Sequence, residues 1–212
     1  MAMFREHIAF GAIVAAVGST VIFSYALVTD LSLLALLFGV TVVASFLPDL
    51  DSDSGMPYHL IFGTFTVLCT GAALYYTMAM EPERWEVLVG VPLGVMVFVW
   101  VVVGGIFKNF TTHRGMMHSI PAAVIAGLAT FLIARHLERP DDVGFIFGAM
   151  AGAGYLSHLI LDELYSGINI DGSLFRPTKA LGTALKFFSS SSGINIFTYL
   201  VLALLVYSAV SG

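Results

Sequence analysis

The chain is poor in charge. Only 11% of its 212 residues are Asp, Glu, Lys or Arg, against roughly 25% in a soluble domain. That shortfall excludes an ordinary water-soluble globule. Sulfur is scarce too: the single cysteine, Cys69, lies inside an apolar run and has no second thiol to pair with, so there is no disulfide framework and no cysteine-built zinc site. The formal net charge is −5, and the few cations form no basic stripe, which argues against nucleic-acid binding. What fills the chain instead is hydrocarbon. Hydrophobic residues make up 58% of it, arranged in runs of about 20, the length that crosses a bilayer as an α-helix.

These runs predict an all-α, polytopic transmembrane bundle with seven spans, over residues 7–29, 31–48, 58–80, 85–107, 117–137, 143–164 and 194–211. The whole chain, 1–212, reads as one integral-membrane domain. Arg5 followed by apolar residues imitates a signal peptide, but the apolar run continues to Val28 without a polar cleavage region, so an uncleaved first helix is expected. Gly90-x-x-x-Gly94 and Gly148-x-x-x-Gly152 suit close helix packing. With the N-terminus in the cytoplasm, Arg5, Lys108, Arg114, Arg176, Lys179 and Lys186 fall inside, and Arg84, Arg135 and Arg139 outside. The excess of basic residues inside supports that orientation. The connection 165–193 contains Leu181, Ala184, Leu185 and Phe188 at helical spacing, with Lys179, Thr183 and Lys186 opposite. That pattern predicts an interfacial helix over 179–188, lying in the headgroup layer.

The span order gathers the polar residues on one membrane face. His7 opens the first span, and "LPDLDSD", with Asp49, Asp51 and Asp53, follows the second. "THRGMMHSIP", with His113 and His118, joins the fourth to the fifth, and His158 and Asp162 close the sixth. His158 and Asp162 are four residues apart, so a helix presents both on one face. Each piece has an ordinary explanation alone: a turn for the acidic loop, a cap at Ser119 and Pro121 for the fifth helix, a hydrogen bond between His158 and Asp162. Together they put four imidazoles and several carboxylates at one end of the bundle, the donor types for zinc, manganese or iron. The set exceeds what one zinc needs and suits two divalent ions, which activate water and clamp a phosphoester. His59 is better explained by packing at a helix start, and His136 by solvation on the other face.

The order of these motifs, His7, then "PDLD", "HRGMMHS" and "HLILD", resembles the YdjM/YbcI-type inner-membrane metal-dependent hydrolases, over residues 7–168. Those hydrolases are in turn distantly similar to zinc-dependent phospholipase C. The resemblance implies a prokaryotic inner-membrane hydrolase with His7, Asp49, Asp51, His113, His118, His158 and Asp162 as metal ligands. Zinc is the expected ion and manganese the next, with two ions per site. Hydrolysis of a phosphoester in a membrane lipid or lipid-linked substrate follows, with Asp49 or Asp51 bridging metals or orienting water. Arg114 would grip a phosphate oxygen, which its planar fork suits. The tryptophan-proline turn of many relatives is missing after "HLILDELYSG", and His7 would have to act through its ring. The competing expectation is a metal-ion transporter or a non-catalytic metal-binding protein built on the same residues. The nearly charge-free span centres favour the hydrolase.

Overall fold

The structure is a computed structural model that describes residues 3–51, 56–105, 115–167, 182 and 184–211. Among these it contains seven α-helices and no strand: α1 (Phe4–Ser24), α2 (Leu31–Ala44), α3 (Met56–Met80), α4 (Trp85–Val97), α5 (Ile120–His136), α6 (Asp141–Gly167) and α7 (Ser192–Ser211). Each expected span thus corresponds to a helix, but five of the seven, α4 counted together with the π-helical stretch Phe98–Val103 that continues it, are long and apolar enough to cross a bilayer. The two exceptions are α2, with 14 residues, and α5, with 17. At 1.5 Å per residue they reach about 21 and 26 Å, short of a hydrocarbon core about 30 Å thick. Polar chemistry trims both. Asp30 caps α2, accepting hydrogen bonds from the Ser32 and Leu33 N–H groups, and beyond Ala44 the chain tightens into a 3-10 turn, Leu47–Asp51, that contains Pro48. Ser119 caps α5, with Pro121 in its first turn, where a missing N–H costs nothing.

The chain divides into two compact units, Met1–Pro48 with Arg114–Gly212, and Asp49–His113. In the first, α6 is the central element. It packs against α1, α2 and α5, and α5 packs in turn against α7. An apolar cluster of Ile22, Val28, Leu37, Phe147 and Met150 ties α1 and α2 to α6. A second, of Ala122, Ala123, Tyr155 and Leu159, ties α5 to α6. The second unit is the hairpin of α3 and α4, with α4 continuing into a π-helical stretch, Phe98–Val103. Tyr58, Phe62 and Val99 form its core, with the Tyr58 hydroxyl close against Gly104.

The predicted interfacial helix over 179–188 requires correction over 184–188. Residues 179–181 and 183 lie outside the described residues, and 184–188 are not helical. Lys186 instead forms an isolated parallel bridge with Ser119, its carbonyl accepting the Ile120 N–H at 3.0 Å. The first free N–H of α5 thus captures this segment, in which Ala184 is buried while Leu185 and Phe188 are 40% and 65% exposed.

Candidate metal centre

Within the first unit, the polar residues of the start of α1, the turn before α5 and the last third of α6 converge. His7, His118, His158 and Asp162 are exposed by only 1%, 0%, 0% and 1%. Asp162 stands between two of the rings. One carboxylate oxygen is 3.5 Å from His7 Nε2, and the other 3.8 Å from His118 Nε2. The His7 and His158 rings stack, with centroids 3.6 Å apart and planes 13° off parallel, and the His118 ring stands edge-on to His158 at 5.3 Å. His7, His158 and Asp162 each offer a ligand atom within 4.8 Å of the others.

Close helix crossings bring these side chains together. Gly11, one turn along from His7, lies against the Ser45 side chain, and Gly154, one turn before His158, lies against the Thr41 carbonyl. A side chain at either glycine would collide with α2 or the residue that ends it. Ser45 then links the two neighbours. Its hydroxyl donates to the His7 carbonyl at 3.2 Å as well as to that of Val42 at 2.7 Å. Its own carbonyl lies 2.9 Å from His158 Nδ1. A carbonyl can only accept, so Nδ1 carries the proton and Nε2 presents its lone pair. This is the outer-shell arrangement that orients a metal-binding histidine. His118 is held by its own turn: its N–H donates to the Gly115 carbonyl at 3.1 Å. The Ser119 hydroxyl donates to the Met116 carbonyl, and the Tyr155 hydroxyl to that of Met117, each at 2.5 Å. Tyr155 is one turn before His158, so one face of α6 supplies two donors and the clamp for a third.

The donor set fits a divalent cation. An anionic carboxylate buried at 1% exposure is costly unless positive charge or hydrogen bonds compensate it. The 3.5 and 3.8 Å separations are long for hydrogen bonds. They match the edge of a tetrahedron, which is about 3.4 Å when each ligand is ~2.1 Å from a zinc ion. His7 Nδ1 is also buried without a hydrogen-bond partner among the described residues. The residues present suit an ion bound by nitrogen and oxygen.

Of the remaining expected site residues, Asp49 lies half-buried in the 3-10 turn that follows Ser45. Asp51 ends that turn, and its side chain lies outside the described residues, as do His113, Arg114 and Asp53. His59 belongs to the second unit, where its exposed ring neighbours those of Tyr58 and Trp100. Sequence reasoning missed Ser45, Tyr155, Gly11 and Gly154. The small residue one turn from each buried histidine was the available signal for the glycines. Nothing in the sequence marked Ser45, whose contribution to His158 is a backbone carbonyl.

No curated protein and no solved structure gives a significant match to the chain. The family model for the YdjM inner membrane protein matches residues 1–211. On that match over its whole length, the chain with this buried His/Asp cluster belongs to the YdjM inner membrane protein family.

Proposed function

We propose that this membrane protein is a metal-dependent hydrolase that cleaves a phosphoester in a lipid or lipid-linked molecule, at the cytoplasmic face of the inner membrane. One observation carries the reading: ligand atoms of His7, His158 and the buried Asp162 lie within 4.8 Å of one another, and His118 Nε2 is 3.8 Å from the same carboxylate. His7, His158 and Asp162 would hold the ion, with His118 against the same carboxylate, and zinc is favoured by its preference for nitrogen and carboxylate donors. A divalent ion so held supplies Lewis acidity to a phosphoryl oxygen and lowers the pKa of water. The chain's own part is positioning. The Ser45 carbonyl keeps the His158 proton on Nδ1, Asp162 balances positive charge, and burial excludes bulk water, which strengthens each electrostatic contact. A second ion needs donors beyond these four, a role the motif order assigns to Asp49, Asp51 and His113, with Arg114 for the phosphate. The cluster lies at helix ends, near the start of α1 and α5 and in the last turns of α6. That is the depth at which a lipid headgroup meets hydrocarbon.

A second reading has its own support. Exposure of 0–1% for all four side chains also suits a protein that holds or carries a metal without turnover. Elemental analysis of the purified protein comes first: about one zinc or manganese per chain is expected, and a metal-free protein that takes up none on incubation ends both readings. The metal-loaded protein is then assayed against a panel of phospholipids and lipid-linked phosphates, and beside it for ion flux in liposomes. Release of a headgroup or phosphate that Asp162→Asn abolishes supports the hydrolase. Flux without hydrolysis replaces it with the carrier.

A further inference from the structure

On the other side of α6 from the metal cluster lies an apolar groove of about 560 Å³ between α5 and α6, closed at one end by Ala209 of α7. We propose that this groove is a phospholipid site: one acyl chain lies along it, with the headgroup phosphate at Arg135 and a headgroup ammonium at Asp141.

The groove exists because small residues form its floor. Gly127 and Gly148 bring the two backbones together, so that a Cβ on Gly148 would lie 2.7 Å from the Gly127 carbonyl oxygen. Ala123, Ala149, Gly152 and Ala153 leave space on either side, and larger groups, Ile120 and Leu156 at one end and Phe131 and Phe145 at the other, form the walls. The slot runs from Ile120 to Phe131, about 16 Å at 1.5 Å per residue. One leaflet of the hydrocarbon core is about 15 Å deep, so the slot matches one extended acyl chain. It is also continuous with the lipid-facing surface, since Phe145 and Ile133 are 71% and 61% exposed. Water does not fill an apolar slot at this depth, and close packing leaves no large voids. The hydrocarbon of the surrounding bilayer is the material at hand.

The charged end names the headgroup. Arg135, one turn beyond Phe131, places its guanidinium 5.9 Å from that ring and donates through Nη1 to the Ala209 carbonyl at 3.2 Å. Both Phe131 and Ala209 line the groove. Its Nε is 3.4 Å from the Asp141 carboxylate, which is 66% exposed. A cation and an anion side by side at the mouth of a single-chain groove complement a zwitterionic phosphate–ammonium headgroup, as in phosphatidylethanolamine. The proposal does not depend on the metal. Phe145, Gly148, Ala149, Gly152 and Leu156 lie on a face of α6 turned roughly 130° from that of His158 and Asp162.

The full-length protein, exchanged into nanodiscs of phosphatidylethanolamine or phosphatidylglycerol and released for native mass spectrometry, tests this. One phospholipid retained per chain is expected, with phosphatidylethanolamine favoured at least about threefold. Ala149→Leu with Ala153→Leu fills the slot without touching the Gly127–Gly148 crossing; it should abolish retention and leave the metal content unchanged. Arg135→Gln should keep the lipid but lose the headgroup preference. Independently, a phospholipid with a photoreactive acyl chain should label the wild type along residues 120–131 and 145–156. Retention unchanged in the filled variant, labelling elsewhere, or a second copy of the chain seated in the groove would overturn the assignment.

Discussion

The two ends of the first unit carry similar residue types and treat them in opposite ways. At one end Asp162 is withdrawn from solvent to 1% exposure and faces the imidazoles of His7 and His118. At the other, Asp141 is 66% exposed and meets Arg135 at 3.4 Å. An ion pair in water contributes roughly 0–1 kcal/mol; a carboxylate buried among imidazoles is tolerable only if its partners stay in place. The same helix, α6, bears both aspartates. The difference therefore lies in what surrounds them: close helix crossings and a locked turn around Asp162, open solvent around Asp141. A buried, over-determined polar cluster suits a bare cation, whereas an exposed pair of charges suits a headgroup that stays in contact with water.

The sharpest test of that contrast is removal of the buried carboxylate. Asp162→Asn keeps the shape and removes the charge, and zinc affinity should fall by more than about 100-fold, since even outer-shell changes cost 10–100-fold. Isothermal titration with zinc measures it. Asp141→Asn is the matched control and should leave zinc binding unchanged. Equal zinc affinity in the two variants would erase the distinction between the ends. Next in size is the crossing itself. Gly154→Leu forces a side chain into the Thr41 carbonyl and should lower stability by about 1–3 kcal/mol, while displacing His158 and reducing bound zinc. Thermal unfolding in detergent and elemental analysis on the same sample report both effects; a stable variant with full zinc would mean that α6 does not need the close approach.

Hydropathy was enough to predict seven apolar helices in the right places, because the bilayer demands long apolar runs whatever the details. It could not separate spanning helices from short ones. The ends of α2 and α5 are set by Asp30, Pro48, Ser119 and Pro121 acting locally, while apolar residues continue past them. The site was predictable in the same limited way. His7, His118, His158 and Asp162 meet because alternate helix ends share a face, a consequence of span order alone. Ser45 was beyond reach: its carbonyl fixes the His158 tautomer, and every residue has a carbonyl. Over 184–188 the helical spacing misled because a backbone bridge between Lys186 and Ser119 stands where helical hydrogen bonds were expected.

Smaller effects refine the comparison. Ser45→Ala retains the carbonyl that accepts from His158 but removes the hydroxyl bond to the His7 carbonyl, a change of about 1 kcal/mol. Zinc affinity should fall by about tenfold at most, within the outer-shell range, with no change in the helix content seen by circular dichroism. A loss as large as that of Asp162→Asn would instead make Ser45 part of the coordination itself.

The smallest effect belongs to the solvated end, where Asp30 caps α2. The Ser32 hydroxyl donates to its carboxylate at 2.6 Å, and the Ser32 and Leu33 N–H groups at 2.7 and 3.3 Å. The Ser32 hydroxyl first, then these N–H groups, lower the Asp30 pKa below 3.8. A carboxyl whose pKa is lower in the folded chain stabilises the fold above its unfolded pKa, and that contribution disappears as pH falls through the folded value. Wild-type protein should therefore lose a small increment of thermal stability on acidification below pH about 4. Asp30→Asn, which keeps a capping oxygen but does not titrate, should lose less over the same range. Because the carboxylate is fully solvated, added salt leaves the hydrogen bonds intact and screens the Arg139 charge that also favours it. The pH increment should consequently survive in high salt. Its disappearance there would show that the cap works through charge, as surface pairs do, and would leave geometry to the buried end alone.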